Sequence, residues 1–485
     1  MRNRFVVFML LVVAALSGCA TSRSAPMATP PLLAAADSPS SPPTVARIDS
    51  DSEHTAMQLA SHSANDASMV AMSGHTESTS SWSLDALESL ALSSNPTLQQ
   101  AQAQVSAAEG AAMQAGLFPN PVVGYEGQFT QIGGSPNEKW NGGYVSQEFV
   151  TAGKLELSRR KWSQRAQIAR TNLQLQRQRV INDVRTQFYR TLAAQELQAI
   201  WRDVVANGED NLQTRREMLN VGQTNQPGLL TAEVDLQRDR LDLNQAEQEL
   251  RHAWRTLAAV VGTPEMPPGM LTGSVQPTEA PMDWDSAVAQ LMSTSPELTV
   301  AHETIQHDRI TVQREEVEPI PNLLLDVTTI KSPIADTTET TLNVGLPLPI
   351  FDRNQGTVQQ ARADLKQSHA EARRLELELQ TRLATQFRDY KTAWQRVVDY
   401  DSTMVPKAKK AYDLLHESYK ARRAAWPDVL SAQRRYLVLR AEQVNNVLMF
   451  READVAVRGM LLTGGLTTPP APIGAGHIDA VAKPR

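Results

Sequence analysis

The sequence contains one cysteine, Cys19, among 485 residues. A lone cysteine excludes disulfides within the chain and metal sites built from several cysteines. Aromatic residues make up only 5% of the chain, and the formal net charge of −6 leaves no surplus of basic side chains. Nucleic-acid binding relies on a basic surface, so we do not expect a nucleic-acid partner.

The sequence also lacks the short motifs of common enzymes. It has no HExxH zinc motif, no Walker A loop, no nucleophile elbow and no dinucleotide-binding fingerprint ahead of a helix. His302 and His307 lie five residues apart, off one helical face, and we interpret them as surface residues rather than ligands. The sequence therefore predicts no enzymatic activity, no cofactor and no metal site in the folded part of the chain.

The N-terminus is typical of an exported protein. Arg2 and Arg4 precede an apolar stretch, residues 5–16, that is too short to span a bilayer as a mature helix. The run LSGC resembles a bacterial lipobox, which implies that residues 1–18 are a signal peptide and that Cys19 is lipidated. Ala20 follows the cysteine, and by resemblance to sorted lipoproteins this implies an outer-membrane anchor. A chance cysteine after an apolar segment is the alternative.

Residues 19–81 are rich in Ser, Ala, Pro and Thr with little periodicity, which predicts a flexible lipidated tether. Residues 465–485 have a similar composition and are predicted to be a disordered tail. The tether contains imidazole and thioether groups, which are ligands for copper and similar metals. They belong to His54, Met57, His62, Met69, Met72 and His75. A metal-capturing segment and a coincidence of composition both account for this clustering.

The two halves of the chain repeat one pattern at an offset of about 200 residues. NPTL at residues 95–98 returns as SPEL at 295–298, and the Pro-x-Pro at 119–121 returns at 319–321. Such registry over a long distance indicates an internal repeat. The predicted boundaries are 82–262 for the first repeat, 263–282 for a linker and 283–464 for the second repeat.

Each repeat is predicted to contain a helix that ends at the Pro-x-Pro, a hairpin, a long helical stretch and a returning helix. Apolar residues of the first long stretch recur every three or four positions around Gln176, which indicates a coiled-coil-like seam. Gly208 and Pro406 fall at nearly equivalent places and predict a kink or break in each long stretch. The predicted helices are about 84–117, 154–219, 227–261, 284–317, 355–419 and 427–462.

The hairpin segments alternate apolar and polar residues, as strands with two different faces do. Their length suits tilted strands that span a membrane, although soluble hairpins packed on helices account for the same alternation. The predicted strands are about 122–130, 143–150, 322–330 and 340–348. The candidates for lining a hydrated bore are Glu126, Gln128, Ser146, Glu148, Asp326, Thr328 and Asn343.

Four strands are too few for a barrel, which needs about eight. An open sheet edge in lipid would leave backbone groups unpaired, so membrane insertion requires further copies of the chain. Two copies supply eight strands with little bore, whereas three supply twelve and leave room for a water-filled duct. Acidic residues along such a duct would favour cations.

From about residue 82 to 464 the chain resembles the TolC-type family of outer-membrane efflux channels. The resemblance rests on the lipobox, the NPTL and SPEL helix entries, the Pro-x-Pro before each hairpin, and two turn blocks, NVGQTNQPGLLTAEVDL and KARRAAWPDVLSAQRRYL. It implies a mainly α fold with a small membrane β part. The expected assembly is a homotrimer whose twelve-stranded β-barrel in the outer-membrane lipid continues as an α-helical barrel across the periplasm.

The resemblance places the two turn blocks at the periplasmic end of the channel. There they are expected to meet a periplasmic adaptor protein and, through it, an inner-membrane pump of the RND type. Arg422 and Arg423 stand where the family usually has a glycine. The candidate contact residues are Gly222, Asn225, Pro227, Arg422, Arg423, Pro427 and Asp428.

The first turn block is most similar to the heavy-metal cation-efflux branch of this family. This likeness implies a passive exit duct for heavy-metal cations or other toxic small molecules. A periplasmic adaptor lipoprotein is one alternative, but it would place lipoyl-like and small β-barrel domains around a single helical hairpin. A structural coiled-coil lipoprotein is another, but it would need no spanning strands. Two equivalent helical halves therefore favour the channel.

Overall fold

The computed structural model describes residues 81–129, 139–277, 279–332, 336–472 and 477–478. The predicted signal peptide, Cys19 and the His and Met residues of the tether lie outside them. The helices are α1 (Leu84–Ser94), α2 (Pro96–Ala115), α3 (Lys154–Asn220), α4 (Gln226–Val261), α5 (Trp284–Thr294), α6 (Pro296–Val317), α7 (Gln355–Asp399), α8 (Val405–Lys420) and α9 (Trp426–Arg458). The strands are β1 (Ser81–Trp82), β2 (Val122–Phe129), β3 (Lys139–Phe149), β4 (Met270–Leu271), β5 (Leu323–Ser332) and β6 (Thr337–Gly345).

The first helix of each repeat is divided in two, so the predicted single helices over 84–117 and 284–317 are wrong. The break falls at Asn95 in the first repeat and at Ser295 in the second, each directly before a proline. A proline disfavours helical geometry in the residue before it, and Asn95 is extended with φ −66° and ψ 122°. Its side-chain oxygen accepts a hydrogen bond from Thr97 N at 2.9 Å and so caps α2.

Helix α3 runs without interruption for 67 residues, which corresponds to about 100 Å. The predicted kink at Gly208 is wrong, because glycine keeps the N–H that the helical ladder needs. A Cβ atom at Gly208 would lie 3.2 Å from Leu236 Cδ1, so this glycine allows α4 to pack closely. Within the described part of the chain, no helix has the length and apolar content that crossing a membrane requires.

The second long stretch is interrupted near Pro406, as predicted. Helix α7 ends at Asp399, a π-helical segment covers Tyr400–Met404, and α8 begins at Val405. Proline lacks an N–H, and its ring clashes with the carbonyl of the residue four positions earlier, here Ser402. The wider π-helical turn accommodates that carbonyl within a continuous helical path.

The predicted seam of α3 is part of the hydrophobic core. Ala169, Leu173, Val180, Val184 and Phe188 are all buried, with Val180 and Val184 at 0% exposure. They pack with apolar residues from other helices of both repeats.

Gln176 lies within this seam and is also fully buried. Its Nε2 amide donates to the Gly465 carbonyl at 2.9 Å and to Thr97 Oγ1 at 3.0 Å. The polar interruption in the seam therefore has a partner in the C-terminal segment.

The C-terminal segment packs against the helices, so the prediction of a disordered tail over 465–485 is wrong for the described residues. Asp183 accepts hydrogen bonds from Gly464 N at 3.3 Å and from Gly465 N at 2.7 Å. Further along, Asn172 Nδ2 donates to the Pro470 carbonyl at 3.4 Å. Polar side chains on α3 therefore form hydrogen bonds with the backbone of this segment. The composition of the segment does not reveal these bonds.

Four strands form one antiparallel sheet in the order β2-β3-β5-β6. Both predicted hairpins are present, but β3 begins four residues before its predicted start and β6 ends at Gly345 rather than near 348. The segment predicted as a linker also takes part in the fold. Its strand β4 pairs with β1 in parallel, with Ser81 opposite Met270 and Trp82 opposite Leu271.

Candidate functional site

The polar positions predicted in the four strands lie on a single face of the sheet. Ser146 of β3 is opposite Asp326 of β5, which is opposite Asn343 of β6. Directly paired residues share a face, and positions two apart along a strand return to it. The remaining candidates, Glu126, Gln128, Glu148 and Thr328, occupy register positions of this same face. We call it the polar face.

The opposite face is apolar at its centre. Val123, Val145, Val327 and Leu342 form one row across all four strands. Val123 is 75% exposed and Leu342 is 63% exposed. A contiguous exposed apolar surface of this kind requires a lipid or protein environment. We call it the apolar face.

The polar face carries four carboxylates. Glu339 of β6 pairs with Ile330 and adds to Glu126, Glu148 and Asp326. The polar-face positions of the described strand residues include no lysine or arginine. Sequence inspection missed Glu339 because the predicted β6 started one residue too late to include it.

The base of the sheet is held to the helices by a polar cluster around Asn322. Its Nδ2 donates to Glu148 Oε1 at 2.7 Å, and its Oδ1 accepts from Lys154 Nζ at 3.1 Å. Burial lowers the pKa of the Lys154 ammonium, while Glu318 at 3.8 Å opposes that shift. Glu148 therefore has a structural partner in addition to its place on the polar face.

The first turn block closes the α3–α4 hairpin at the end opposite to the sheet. Gly222 has φ 73°, a left-handed conformation that glycine adopts without steric cost. Gly222 N donates to Leu219 O at 3.1 Å and Gln223 N donates to Met218 O at 2.8 Å, which ends α3 in a Schellman-type turn.

The second turn block closes the α8–α9 hairpin in the same way, with arginine in place of glycine. Arg422 has φ 57°. Arg422 N donates to Tyr419 O and Arg423 N donates to Ser418 O, both at 2.8 Å. The two turns therefore share one backbone design despite the substitution, and Arg422 bears a conformational cost that Gly222 avoids.

The helices that follow the two turns, α4 and α9, have different N-terminal caps. Asn225 Oδ1 accepts from Gly228 N at 3.0 Å and caps α4, with Pro227 in its first turn. Helix α9 has no side-chain cap at Ala425. Its start is instead covered by packing of the Trp426 ring on Tyr419, with ring centroids 4.9 Å apart.

Pro427 and Asp428 complete the first turn of α9. The carboxylate of Asp428 lies at the positive end of the helix dipole, where an acidic group is favourable.

The two hairpins are connected near these turns by a pair that sequence inspection missed. Asp239 of α4 is 1% exposed, and Arg434 Nη2 of α9 donates to its Oδ1 at 2.5 Å. Asn207 of α3 also donates to the Leu430 carbonyl at 3.2 Å. No local spacing brings α4 and α9 together, so only the tertiary structure reveals this connection.

Comparisons with known proteins agree with this architecture. Residues 87–263 and 289–461 match the family model described as Outer membrane efflux protein. Cobalt-zinc-cadmium resistance protein CzcC of Cupriavidus metallidurans is 24% identical over 364 residues, which cover 72% of this chain and 83% of that protein.

Solved structures of outer-membrane channels share the fold. CusC, solved in a study of folding and transmembrane channel formation, matches with a TM-score of 0.65 at 16% identity, over 79% of this chain and 92% of that chain. The open state of the MtrE outer membrane channel of Neisseria gonorrhoeae matches with a TM-score of 0.63 at 16% identity, over 79% of this chain and 90% of that chain.

The chain belongs to the outer membrane efflux protein family. It is an efflux channel of the outer membrane and not an enzyme. This assignment excludes the adaptor and the structural lipoprotein as alternatives. Outer-membrane efflux channels function as trimers with adaptor and inner-membrane pump partners.

One interpretation of single residues is wrong. His307, expected at the surface, is 1% exposed, whereas His302 is exposed as expected. Asp308, next in sequence, lies 3.0 Å from His307 Nδ1 through its Oδ1. The adjacent His307 and Asp308 were visible in the sequence as a possible polar cluster. The third residue of the cluster, His477, lies in the segment predicted to be disordered.

Proposed function

We propose that the chain exports heavy-metal cations as the outer-membrane duct of a tripartite efflux system. The observation that carries this proposal is the polar face, with four carboxylates and no basic residue among its described positions. Carboxylate rings favour cations in channels by Coulomb attraction. The similarity to a cobalt-zinc-cadmium resistance protein supports the same class of substrate.

The proposed active form is a homotrimer. In the described sheet, β2 pairs only with β3 and β6 pairs only with β5, so both outer edges are open. Backbone groups at an edge in hydrocarbon cost several kcal/mol each when unpaired. Pairing β6 of one copy with β2 of the next satisfies them, and three copies give a closed sheet of twelve strands with twelve carboxylates on its inner face.

The outward side of this assembly is proposed to be the apolar face, in contact with outer-membrane lipid. The lipid on Cys19 is proposed to add an anchor beside the inserted strands. An acyl anchor holds a protein to one leaflet without crossing the bilayer, so the strands alone provide the passage.

The turn blocks are proposed to contact a periplasmic adaptor and, through it, an RND-type pump. They lie about 100 Å from the sheet along α3, which suits a channel that reaches across the periplasm. The proposed contact residues are Gly222, Asn225, Pro227, Arg422, Arg423, Pro427 and Asp428.

Gene deletion followed by a toxicity panel tests the substrate class. We expect increased sensitivity to Co²⁺, Zn²⁺ or Cd²⁺, restored by the wild-type chain, with little change for dyes and antibiotics. Sensitivity confined to dyes and antibiotics would contradict a metal-cation duct.

Neutralising the polar face tests the mechanism. The variant Glu126→Gln/Asp326→Asn/Glu339→Gln leaves Glu148, which has a structural partner, unchanged. In planar bilayers it should lose cation selectivity, measured as a shift of the reversal potential towards zero. Asp336→Asn, in the turn between β5 and β6, removes an exposed carboxylate outside the polar face and is the matched control. Equal selectivity of the wild type and the triple variant would contradict the role of these carboxylates.

A further inference from the structure

Two histidines and an aspartate from distant parts of the sequence meet beside α6. Asp308 Oδ1 lies 3.0 Å from His307 Nδ1 and 2.9 Å from His477 Nε2. One ligand atom from each of the three residues can be chosen so that all lie within 4.8 Å of one another. This cluster is separate from the polar face and from both turns, and the channel function does not use it.

The chemistry of the cluster suits a borderline divalent cation. Imidazole nitrogen and carboxylate oxygen are the common ligands of Zn²⁺, with bonds of about 2.0–2.2 Å. In tetrahedral geometry such donors lie about 3.3 Å apart, so the observed spacing needs only small side-chain movements. Two imidazoles disfavour Mg²⁺ and Ca²⁺, and the absence of sulfur among these three residues disfavours Cu⁺.

The surroundings of Asp308 fix its orientation. Asp308 is 0% exposed, and the Ser368 hydroxyl of α7 donates to its Oδ2. A buried carboxylate with a second hydrogen-bond partner is the arrangement that orients metal ligands in proteins.

A second carboxylate lies next to the cluster. Asp364 Oδ2 of α7 is 3.8 Å from His477 Nε2 and accepts a hydrogen bond from Ile478 N at 3.3 Å. With Asp364 included, the cluster offers two imidazole nitrogens and two carboxylate oxygens, which is a complete donor set for a four-coordinate site.

We propose that His307, Asp308 and His477, with Asp364 as a fourth ligand, bind one divalent cation of the Zn²⁺ or Co²⁺ type. The bound ion holds the C-terminal segment against α6 and α7. Its role is structural, because His307 and Asp308 are buried and the four ligands join two helices to the C-terminal segment. The proposal does not depend on which compound the channel exports.

Metal titration of the full-length, detergent-solubilised protein tests the site. The protein is purified without a histidine tag, stripped with a chelator, and titrated with Co²⁺, whose visible absorption reports coordination geometry. We expect one site per chain with tetrahedral absorption that Zn²⁺ abolishes by displacement. His477→Ala should lower the metal affinity at least about tenfold. Removing a residue that only hydrogen-bonds to a metal ligand already lowers affinity by that factor, and removing a ligand should lower it at least as much.

Matched controls separate this site from other metal-binding groups. His302→Ala on α6 and His369→Ala on α7 each remove an exposed imidazole from a helix that contributes to the cluster, and both should bind like the wild type. The His and Met residues of the tether give a background common to all variants. Equal binding by the wild type and His477→Ala would overturn the proposal.

Limited proteolysis distinguishes a metal site from a contact made by hydrogen bonds alone, because only a metal site makes cleavage depend on Zn²⁺. Zn²⁺ should slow cleavage within residues 465–485 of the wild type and of His302→Ala, but not of His477→Ala. Protection that is the same with and without metal would overturn the proposal. His477 lies outside the helices, so its replacement leaves them intact, and neither readout requires efflux in cells.

Discussion

Arg434 of α9 and Asp239 of α4 form a two-point contact between the two helical hairpins. The Nη2–Oδ1 distance is 2.5 Å and the Nε–Oδ2 distance is 3.4 Å. Hydrogen bonding to Asp239 raises the pKa of the Arg434 guanidinium, which therefore stays charged. The contact lies about two to four helical turns from the loops that close the hairpins, so it restrains how far the two can separate.

Arg434→Ala should loosen this contact. It leaves the buried Asp239 carboxylate without its charged partner, which costs about 3 kcal/mol or more. We expect increased conductance and more open events in planar bilayers. Arg440→Ala, on the same helix as Arg434, removes a partly buried ion pair with Glu196 of α3 at 3.4 Å and is the control. Indistinguishable traces from the two variants would rule out a restraining role for Arg434.

Arg422→Gly should stabilise the second turn. A side chain in the left-handed region costs roughly 1 kcal/mol, which glycine avoids. Hydrogen exchange of the amides at the end of α8 should slow by a few-fold. Arg423 is not in the left-handed conformation, so Arg423→Gly should not slow the exchange of these amides. Faster exchange in Arg422→Gly would mean that the arginine side chain stabilises the turn by contacts worth more than the strain.

The two faces of the sheet should respond oppositely to a charge. Val327→Arg places a cation on the apolar face, where it costs about 2–4 kcal/mol at the bilayer centre. Thr328→Arg places the same group on the polar face one residue later. We expect the first variant to be depleted from outer-membrane fractions and the second to accumulate normally. Depletion of Thr328→Arg alone would reverse the assignment of the faces.

Gln176→Leu should detach the C-terminal segment from α3. The Gly465 carbonyl and Thr97 hydroxyl lose a buried donor, which costs about 1–3 kcal/mol. The expected result is faster proteolysis after residue 462 and a lower melting temperature. Gln174→Leu, an exposed change two residues earlier on the same helix, should alter neither measurement. Equal effects of both variants would argue against the contact seen at Gln176.

Periodic features of the fold were predictable from the sequence. The alternation around Val327 and Asp326 fixed the two faces of the sheet, because strand residues alternate strictly between sides. The seam at Val180 and Val184 followed from helical spacing. These patterns are local, so they can be interpreted without knowing the neighbouring element.

Features that depend on distant contacts were not predictable. Gly208 resembled a helix breaker because its role in packing against Leu236 is tertiary. Residues 465–472 looked disordered because their composition does not reveal that Asp183 and Gln176 hold their backbone. His307 looked exposed because its partner His477 lies 170 positions away.

The π-helical segment at Tyr400–Met404 makes the two hairpins mechanically unequal. The α3–α4 hairpin contains the uninterrupted helix α3. In the second hairpin, the π-helical segment interrupts the regular α-helix before the turn. Tyr400 and Asp401 in this segment bond to Glu442 and Gln443 of α9 at 2.9 Å and 2.8 Å, both at exposed positions that water can replace. Bending at the turn ends of the hairpins should therefore begin in the second hairpin while the first stays straight.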